Sequence, residues 1–313
     1  MPTVEDLVER LLAGNRRALS RLLTLIENDA PEGRRALRLL YPRSGGAHTV
    51  GITGSAGSGK STLSGAIARE TRRRGRTLGI VAIDPTSPFS QGAILGDRIR
   101  MQDLTSDREV FLRSMATRGN LGGLAPATAG VVTALDAFGK DVVLVETVGA
   151  GQDEVEVAAM ADTTVVVLTP GAGDDVQAMK AGIMEIADIL VVNKCDLPNA
   201  DLLARQLASI VDAAPGERRT PILKTAGALN EGIEALLDAL EEHRTYILAS
   251  NVREVHRREQ ARHQVLTLAR QRLIDRLVAR QATDGRLDAL VEQVARRELD
   301  PHSAADALIG DAD

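Results

Sequence analysis

The chain has 313 residues, a formal net charge of −5 and a single cysteine, Cys195. Hydrophobic residues at 44% and charged residues at 26% are typical of a soluble globular protein and give no sign of a disordered or membrane-spanning chain. The acidic net charge gives no reason to expect a nucleic-acid partner, and one cysteine excludes both an intramolecular disulfide and a cysteine-based zinc site. The acidic start at Glu5 and Asp6 is unlike a signal peptide, and the apolar runs are too short to span a bilayer. We therefore expect a cytoplasmic protein, or one of an organelle matrix if a leader has been removed, that does not bind a membrane.

The first 45 residues predict a helical arm. Apolar residues recur with the period of an amphipathic helix in two stretches, which are separated by Gly14 and Asn15. These residues are Val4, Leu7, Leu11 and Leu12, followed by Leu19, Leu22, Leu23 and Ile26. A third, short helix is expected around Arg35 to Leu40, before the glycine-rich linker at residues 42–46. We assign residues 1–45 to an N-terminal helical arm.

From residue 46 to residue 245, short β-branched runs alternate with helical sequence. The predicted strands are Thr49–Ile52, Leu78–Ile83, Val142–Val145, Thr164–Leu168, Ile189–Val192 and Pro221–Leu223. Strands that are apolar throughout and alternate with helices predict a doubly wound, mostly parallel α/β sheet with helices on both faces. Functional residues are then expected at the carboxyl ends of the strands.

Residues 246–313 predict a C-terminal helical arm and tail, because the strand pattern stops after about Glu242 and charged helical sequence follows. One apolar stripe contains Leu266, Leu273 and Leu277, and a second contains Leu287, Leu290, Val291 and Val294. The arginines between them alternate with acidic residues, which favours a solvated helix face over a nucleic-acid surface. The stripes must be buried against something, and a partner subunit is a reasonable candidate.

A complete phosphate-binding P-loop follows the first predicted strand. It consists of Gly54, Ser55, Ala56, Gly57, Ser58, Gly59, Lys60 and Ser61, and Thr62 continues it into a helix. The glycines let backbone N–H groups curl around phosphate oxygens, Lys60 neutralises the β- and γ-phosphate charges, and the Ser61 hydroxyl can bind Mg²⁺. The pattern, the preceding strand and the following helix all agree, so a chance glycine-rich turn is a poor alternative.

The sequence Asn193-Lys194-Cys195-Asp196 directly follows the predicted strand Ile189–Val192 and predicts guanine recognition. The Asp196 carboxylate can accept hydrogen bonds from the N1–H and the exocyclic amine of guanine. Adenine lacks this pair of donors and would leave the carboxylate unpaired. Four residues of these types recur by chance on loops, but here they stand downstream of a P-loop, which favours GTP over ATP. Thr225 and Ala226 follow the last predicted strand, where a backbone N–H usually completes the guanine pocket.

Glu146-Thr147-Val148-Gly149 ends the predicted strand Val142–Val145 and forms a third element of the site. Glu146 stands where most GTPases have an aspartate and could act on Mg²⁺ through a water, and the Gly149 N–H can meet the γ-phosphate. Asp84 and Asp97 are further candidates for a Mg²⁺ shell, because hard cations prefer oxygen ligands. As isolated aspartates they are more commonly helix caps or turn residues.

Long segments of the chain resemble the MeaB/ArgK family of P-loop GTPases, whose characterised members are chaperones for cobalamin-dependent acyl-CoA mutases. The resemblance covers most of the chain. It rests on residues 51–62, 84–87, 94–101, 119–123, 146–152, 173–183 and 300–305.

The resemblance implies GTP or GDP and Mg²⁺ as cofactors, a mutase as partner, and a homodimer held by the C-terminal arm. It implies switch loops around Asp97 and around residues 149–154, which include Gln152, Asp153 and Glu154. A third segment, which the family uses to sense the mutase, contains Gly173, Asp174, Asp175, Gln177 and Lys180. The physical interpretation agrees, because γ-phosphate contacts can reorder loops rich in Gly and Asp.

Catalysis is expected to rest on positioning and on charge stabilisation by Lys60, Mg²⁺ and the P-loop N–H groups, with slow intrinsic turnover. Gln152 is a candidate for positioning the attacking water, and Arg98, Arg108 and Arg113 are alternative sources of a stabilising arginine. Three other functions compete with the chaperone hypothesis: an ArgK-type kinase or ATPase of amino-acid uptake, a GTPase that inserts nickel, and a purely structural protein. The guanine motif argues against the first, and one Cys with five scattered His residues argues against the second.

Overall fold

The computed structural model describes residues 2–84, 102–116, 125–147, 153–171, 186–213, 218–250 and 252–310. It divides into two compact units, residues 1–260 and 261–313. Among the described residues, no helix combines the length and apolar character needed to cross a membrane.

The N-terminal arm forms three helices: α1 (Val4–Leu12), α2 (Arg16–Glu27) and α3 (Pro31–Leu40). Residues close in sequence define where each helix begins. Thr3 forms a capping box with Asp6 at α1, the Asn15 side chain caps α2, and Pro31 occupies the first turn of α3. The third helix begins four residues earlier than the Arg35 start expected from the sequence. Apolar residues of all three helices belong to one hydrophobic cluster with residues of the sheet.

Seven parallel strands form a single sheet, which confirms the predicted doubly wound α/β fold. The strands are β1 (His48–Thr53), β2 (Leu78–Asp84), β3 (Val110–Ala116), β4 (Val142–Glu146), β5 (Thr163–Leu168), β6 (Ile189–Val192) and β7 (Ile222–Lys224). Their order across the sheet is β3-β2-β4-β1-β5-β6-β7. The first strand is central, so the loop that follows it lies in the middle of the carboxyl edge, where this class of fold binds its ligands.

Strand β3 is the one strand of this sheet that the sequence pattern did not predict. It lies at the edge of the sheet and carries Arg113 and Ser114 among its apolar residues, so the continuous apolar run of a central strand is absent. Arg113 donates to Glu27 and Thr24 of α2, which holds the N-terminal arm against this edge.

Helices α4 (Lys60–Arg73), α5 (Gln102–Thr105), α6 (Ala125–Ala137), α7 (Asp153–Ala158), α8 (Ala200–Ala213) and α9 (Ile233–Ala249) alternate with the strands. The apolar face of α9 packs with α4 and with β1, β4 and β5 in one buried cluster. Helix α10 (Val252–Asp284) begins in the first unit and continues into the second, where α11 (Arg286–Ala295) and α12 (Pro301–Ile309) follow.

Three aspartates fix the amino-terminal edge of the sheet, opposite the P-loop. Asp141 accepts from the N–H of Thr77 at 2.7 Å, Asp162 from that of Thr49 at 2.9 Å, and Asp188 from that of Thr164 at 2.8 Å. Each bond joins the segment that enters one strand to the start of another. The carboxylates therefore help to set the register in which the strands enter the sheet.

A buried polar chain crosses the same edge. His48 Nε2 lies 2.7 Å from the Thr163 hydroxyl, which lies 2.8 Å from His243 Nδ1, and His243 Nε2 lies 3.3 Å from Asp188 Oδ1. If His243 Nε2–H donates to Asp188, its Nδ1 accepts from Thr163, and the Thr163 oxygen accepts from His48 Nε2–H. The order hydroxyl, imidazole, carboxylate is that of a catalytic triad, but Thr163 has no exposed surface, so the chain has a structural role.

Candidate functional site

The loop between β1 and α4 owes its shape to its glycines. Gly54, Gly57 and Gly59 have φ angles of 138°, 80° and 87°, a region that favours glycine. A Cβ on Gly54 would lie 2.1 Å from the carbonyl oxygen of Val167, so no larger residue fits at this position. The P-loop that the sequence predicted is therefore held tightly between β1 and β5.

Lys60 is the first residue of α4 and its side chain turns back over the loop. Its Nζ donates to the carbonyl oxygens of Gly54 at 2.7 Å and Ser55 at 2.8 Å, and the residue is only 6% exposed. The N-terminal end of α4 adds the partial positive charge of the helix dipole. The loop thus combines a buried ammonium group with a helix N-terminus, which is an arrangement suited to phosphate.

Ser61 and Glu146 bring two hard oxygen donors together beside the P-loop. The Ser61 hydroxyl donates to Glu146 Oε1 at 2.5 Å, and Glu146 is 3% exposed at the end of β4, which pairs with β1. Asp84 ends β2, the neighbour of β4 on the other side. Within the described ranges there is no group of three or more His, Cys, Asp or Glu residues that could bind a metal by itself.

Asn193 joins the loop after β6 to two other segments. Its Nδ2 donates to the carbonyl oxygen of Ser58 at 2.8 Å, and its Oδ1 accepts from the Thr225 hydroxyl at 3.1 Å and from the N–H of Gly227 at 3.2 Å. The residue is 2% exposed. The sequence motif predicted a nucleotide contact here, and the structure adds a second role: Asn193 holds the P-loop and the loop after β7 in a fixed relation.

The residues that follow Asn193, and those that follow β7, lie at the same carboxyl edge of the sheet. Lys194 has a φ angle of 56° and its Nζ donates to the carbonyl oxygen of Gly57 at 2.9 Å, whereas Asp196 is exposed. The N–H groups of Thr225 and Ala226 donate to the carbonyl oxygens of Val192 and Glu231, at 2.9 and 3.1 Å. At these two positions the backbone contact to guanine stays a prediction.

Several of the predicted site residues lie outside the described part of the chain. They are Gly149, Gln152, Asp97, Gly173, Asp174, Asp175, Gln177 and Lys180. Asp153 and Glu154 begin α7. Of the three candidate arginines, Arg98 is outside the described residues, Arg108 is exposed, and Arg113 is bound to Glu27.

The sequence profile of the methylmalonyl-CoA mutase-associated GTPase MeaB matches residues 19–282. The chain belongs to the MeaB family. As a MeaB-family P-loop protein it binds guanine nucleotide and is a GTPase.

Full-length relatives agree with this assignment. A Pyrococcus abyssi protein assigned as a GTPase is 45% identical over 98% of this chain and 96% of its own length. GTPase ArgK of Escherichia coli is 32% identical over 96% of this chain and 94% of its own length. A crystal structure of a LAO/AO transport system kinase covers 97% of the MeaB-family chain and 96% of its own, with a TM-score of 0.73 and 24% identity, and supports the fold.

Proposed function

We propose that this MeaB-family GTPase is a GTP-driven switch that gates cofactor loading, or protection, of a cobalamin-dependent acyl-CoA mutase such as methylmalonyl-CoA mutase. The observation that carries the proposal is the match to a family described as associated with that mutase. A pull-down with the tagged protein, in the presence of GDP or of a non-hydrolysable GTP analogue, tests it. Recovery of no cobalamin enzyme in either nucleotide state contradicts it.

We place the β- and γ-phosphates in the P-loop, residues 54–61, against Lys60. Phosphate oxygens there would replace the Gly54 and Ser55 carbonyl oxygens as partners of the Lys60 ammonium group. Hydrolysis needs little covalent help from a protein, so charge stabilisation by Lys60 and by the N–H groups at the start of α4 is its main contribution. The N–H of Gly149 and the side chain of Gln152 are proposed to contact the γ-phosphate and the attacking water.

We assign the Mg²⁺ site to Ser61 and Glu146, with Asp84 and Asp97 as further members of its shell. The donor set fits, because a hydroxyl and a carboxylate are hard oxygen ligands and lie 2.5 Å apart beside the P-loop. Mg²⁺ bound there supplies charge neutralisation for the phosphates. Glu146 accepts a hydrogen bond from Ser61 and would act on the metal through a water.

The guanine base is placed at Asp196, beside Asn193 and Lys194. Asp196 is exposed, so its carboxylate is accessible to a base that enters from solvent. We propose that Thr225 and Ala226 complete the guanine site, since the Thr225 hydroxyl is hydrogen-bonded to Asn193.

Replacing Asp196 by Asn tests this placement. The asparagine keeps one acceptor oxygen but removes the charge and sets its NH2 group against a guanine donor, so two bonds that each contribute about 1.5–3 kcal/mol are weakened or lost and GDP affinity is expected to fall about 100-fold or more. The affinity for xanthosine diphosphate should rise, because an asparagine amide can donate to the extra carbonyl of xanthine. Calorimetry measures the affinities for GDP and for xanthosine diphosphate. The matched control is Asp201→Asn, because Asp201 is an exposed aspartate paired with Lys224. Unchanged GDP binding in Asp196→Asn contradicts the placement.

The switch segments are proposed to be those around Asp97, at residues 149–154 and at residues 173–180. Glu146 ends β4 immediately before the second of them, and α7, which contains Asp153 and Glu154, follows it. A change at the γ-phosphate or at Glu146 therefore has a short covalent path to α7. Gly173, Asp174, Asp175, Gln177 and Lys180 are proposed to contact the mutase.

One alternative is an ArgK-type kinase or ATPase linked to amino-acid transport. It is favoured by the name of the protein with the similar crystal structure, a LAO/AO transport system kinase. Competition of ATP against labelled GTP separates the two functions. ATP displacing GTP at equal concentration favours the kinase, and ATP without effect favours the GTP switch.

We propose a homodimer formed through the C-terminal arm, residues 246–313. In the second unit the side chains of Val265, Leu266, Leu273, Val291 and Ile309 are between 56% and 64% exposed. Burial of these apolar residues against a second copy of the arm would remove them from water, which is the physical reason for the proposed dimer.

The double substitution Leu266→Glu and Leu273→Glu is expected to halve the mass measured by light scattering, because it places charges in the proposed interface. GDP binding should be unchanged, since both residues lie outside the first unit. The control is Arg258→Gln, an exposed residue of the same helix that pairs along it with Glu254. A wild-type protein that is monomeric at micromolar concentration contradicts the proposed dimer.

A further inference from the structure

Glu70 is a buried carboxylate three turns along α4 from the P-loop. It is 5% exposed and accepts hydrogen bonds from Arg73 Nε at 2.6 Å, Arg73 Nη2 at 2.7 Å and Arg74 Nε at 3.0 Å. The hydrogen bond from Arg73 is the largest of the effects that lower the pKa of Glu70, so the group is ionised at neutral pH. Glu70 therefore orients two guanidinium groups at the C-terminal end of α4.

Both guanidinium groups reach across to α9. Arg73 Nη2 lies 2.7 Å from Glu234 Oε1, and Arg74 Nη2 lies 2.8 Å from Asp238 Oδ1. Arg74 Nη2 also donates to the backbone carbonyl of Glu234 at 3.1 Å, and Arg74 Nη1 lies 3.6 Å from Glu241 Oε1. We call the set Glu70, Arg73, Arg74, Glu234, Asp238 and Glu241 the α4–α9 ion network.

The base-binding loop contacts α4 at the end opposite Glu70, and it leads directly into the first turn of α9, where the ion network lies. A Cβ on Gly227 would lie 3.3 Å from the backbone of Leu63, so the loop after β7 contacts the first turn of α4 directly. Gly232 precedes α9 with a φ angle of 71°, and a Cβ there would lie 2.2 Å from the carbonyl oxygen of Lys224. The start of α9 is thus rigidly connected to that loop, which is bonded to Asn193 through Gly227.

The geometry points to Glu70 as a positioning residue for guanine binding: together with the apolar contacts between the two helices, the ion network fixes the position of α9, and with it the base-binding loop, on α4. The inference rests on the proposed placement of the base at residues 193–196. Glu234 and Asp238 have side chains 71% and 63% exposed, and exposed pairs of this kind contribute little individually. Loss of Glu70 has a larger consequence, because it leaves Arg74, whose side chain is 21% exposed, without its buried partner.

The test compares two ligands of the same site. GDP needs both the P-loop and the base-binding loop, whereas pyrophosphate needs only the P-loop. In Glu70→Gln we expect the dissociation constant for GDP to rise about tenfold and that for pyrophosphate to change less than about twofold. The KM for GTP should rise by the same factor as the GDP constant, with kcat within about twofold of wild type. A residue needed only for folding would lower the binding of both ligands together.

Arg69→Gln is the matched control, because Arg69 lies on α4 one residue before Glu70 but pairs with Asp103 of α5. Arg74→Gln is the second variant. It leaves Glu70 bonded to Arg73 and removes the Arg74 contacts to α9, so its effect should follow that of Glu70→Gln.

Three results overturn the inference. Equal losses of GDP and pyrophosphate binding in Glu70→Gln indicate a general structural role. Equal GDP affinities in Glu70→Gln and Arg69→Gln show that the network does not position the loop. If the wild-type protein binds GDP no more tightly than pyrophosphate, the proposed placement of the base is wrong and the inference fails with it. This result concerns the wild-type protein, so it is distinct from a failure of the proposed role of Glu70, which only the variants reveal.

Discussion

Lys60→Ala is expected to lose tight GTP binding, with the dissociation constant raised at least about 100-fold. A buried ammonium group that donates to phosphate oxygens contributes about 1.5–3 kcal/mol for each hydrogen bond, and the Lys60 ammonium group directs two donors at the loop. The rate of GTP hydrolysis should also fall, to the background of the assay, because charge stabilisation is the main source of catalysis in this reaction. Calorimetry with a non-hydrolysable GTP analogue and a phosphate-release assay measure the two effects.

Lys224→Ala is the control for Lys60→Ala. Its side chain is 51% exposed and pairs with Asp201, so it removes one positive charge without touching the P-loop. The control should bind GTP within about threefold of wild type. Unchanged nucleotide affinity in Lys60→Ala, with a normally folded protein by circular dichroism, would exclude the proposed phosphate site.

Acid is expected to destabilise the fold through the buried chain at the opposite edge of the sheet. Burial is the main cause that lowers the pKa of His48 to about 3, with smaller effects from Arg244, His243 and Arg76. Burial likewise lowers the pKa of His243 to about 4, with smaller effects from Arg218 and His256. Both imidazoles therefore stay neutral in the folded protein at pH values where the unfolded chain is already protonated.

The stabilising contribution of the two imidazoles is complete above pH 6.5 and is lost as the pH falls from 6.5 towards 4. Each histidine contributes a slope of about 1.4 kcal/mol per pH unit in that window, so the pair lowers the free energy of unfolding by about 4 kcal/mol between pH 7 and pH 5. Burial raises the pKa of Asp188, and uptake of a proton by this carboxyl in the folded state offsets part of the loss.

Denaturant unfolding at pH 7, 6 and 5 measures this effect. His243→Gln should be less stable than wild type at pH 7 and should show about half of the wild-type slope, because one of the two depressed groups is gone. His302→Gln is the control, since His302 is exposed in α12. Equal slopes in wild type and His243→Gln would rule out the buried chain as the origin of the acid sensitivity.

Much of the fold could be predicted from the sequence because its signals are local. The apolar runs that became β1, β2, β4, β5 and β6 are typical of buried parallel strands. The P-loop was equally predictable, since Gly54 and Gly59 occupy positions where φ is positive and a Cβ would clash. In both cases the residue type alone carries the structural requirement.

The features that the sequence did not predict depend on contacts between distant segments. The edge strand β3 is joined to α2 by the side chain of Arg113, and no periodicity in the sequence indicates such a bond. Asn193 connects the P-loop to the loop after β7 through hydrogen bonds to Ser58 and Thr225. These two residues are separated from Asn193 by 135 and 32 residues in the sequence. One sequence signal could have indicated the strand register. It is an Asp directly before one strand and a Thr at the start of another, as in Asp141 and Thr77.

The central claim, a nucleotide-dependent switch that acts on a cobalamin mutase, is tested most directly by one binding measurement. The dissociation constant for methylmalonyl-CoA mutase is measured by calorimetry with the protein saturated first with GDP and then with a non-hydrolysable GTP analogue. A switch predicts a difference of at least about fivefold, because coupling between two binding sites is typically about 1–3 kcal/mol. Equal dissociation constants in the two nucleotide states, or no binding in either, would contradict it.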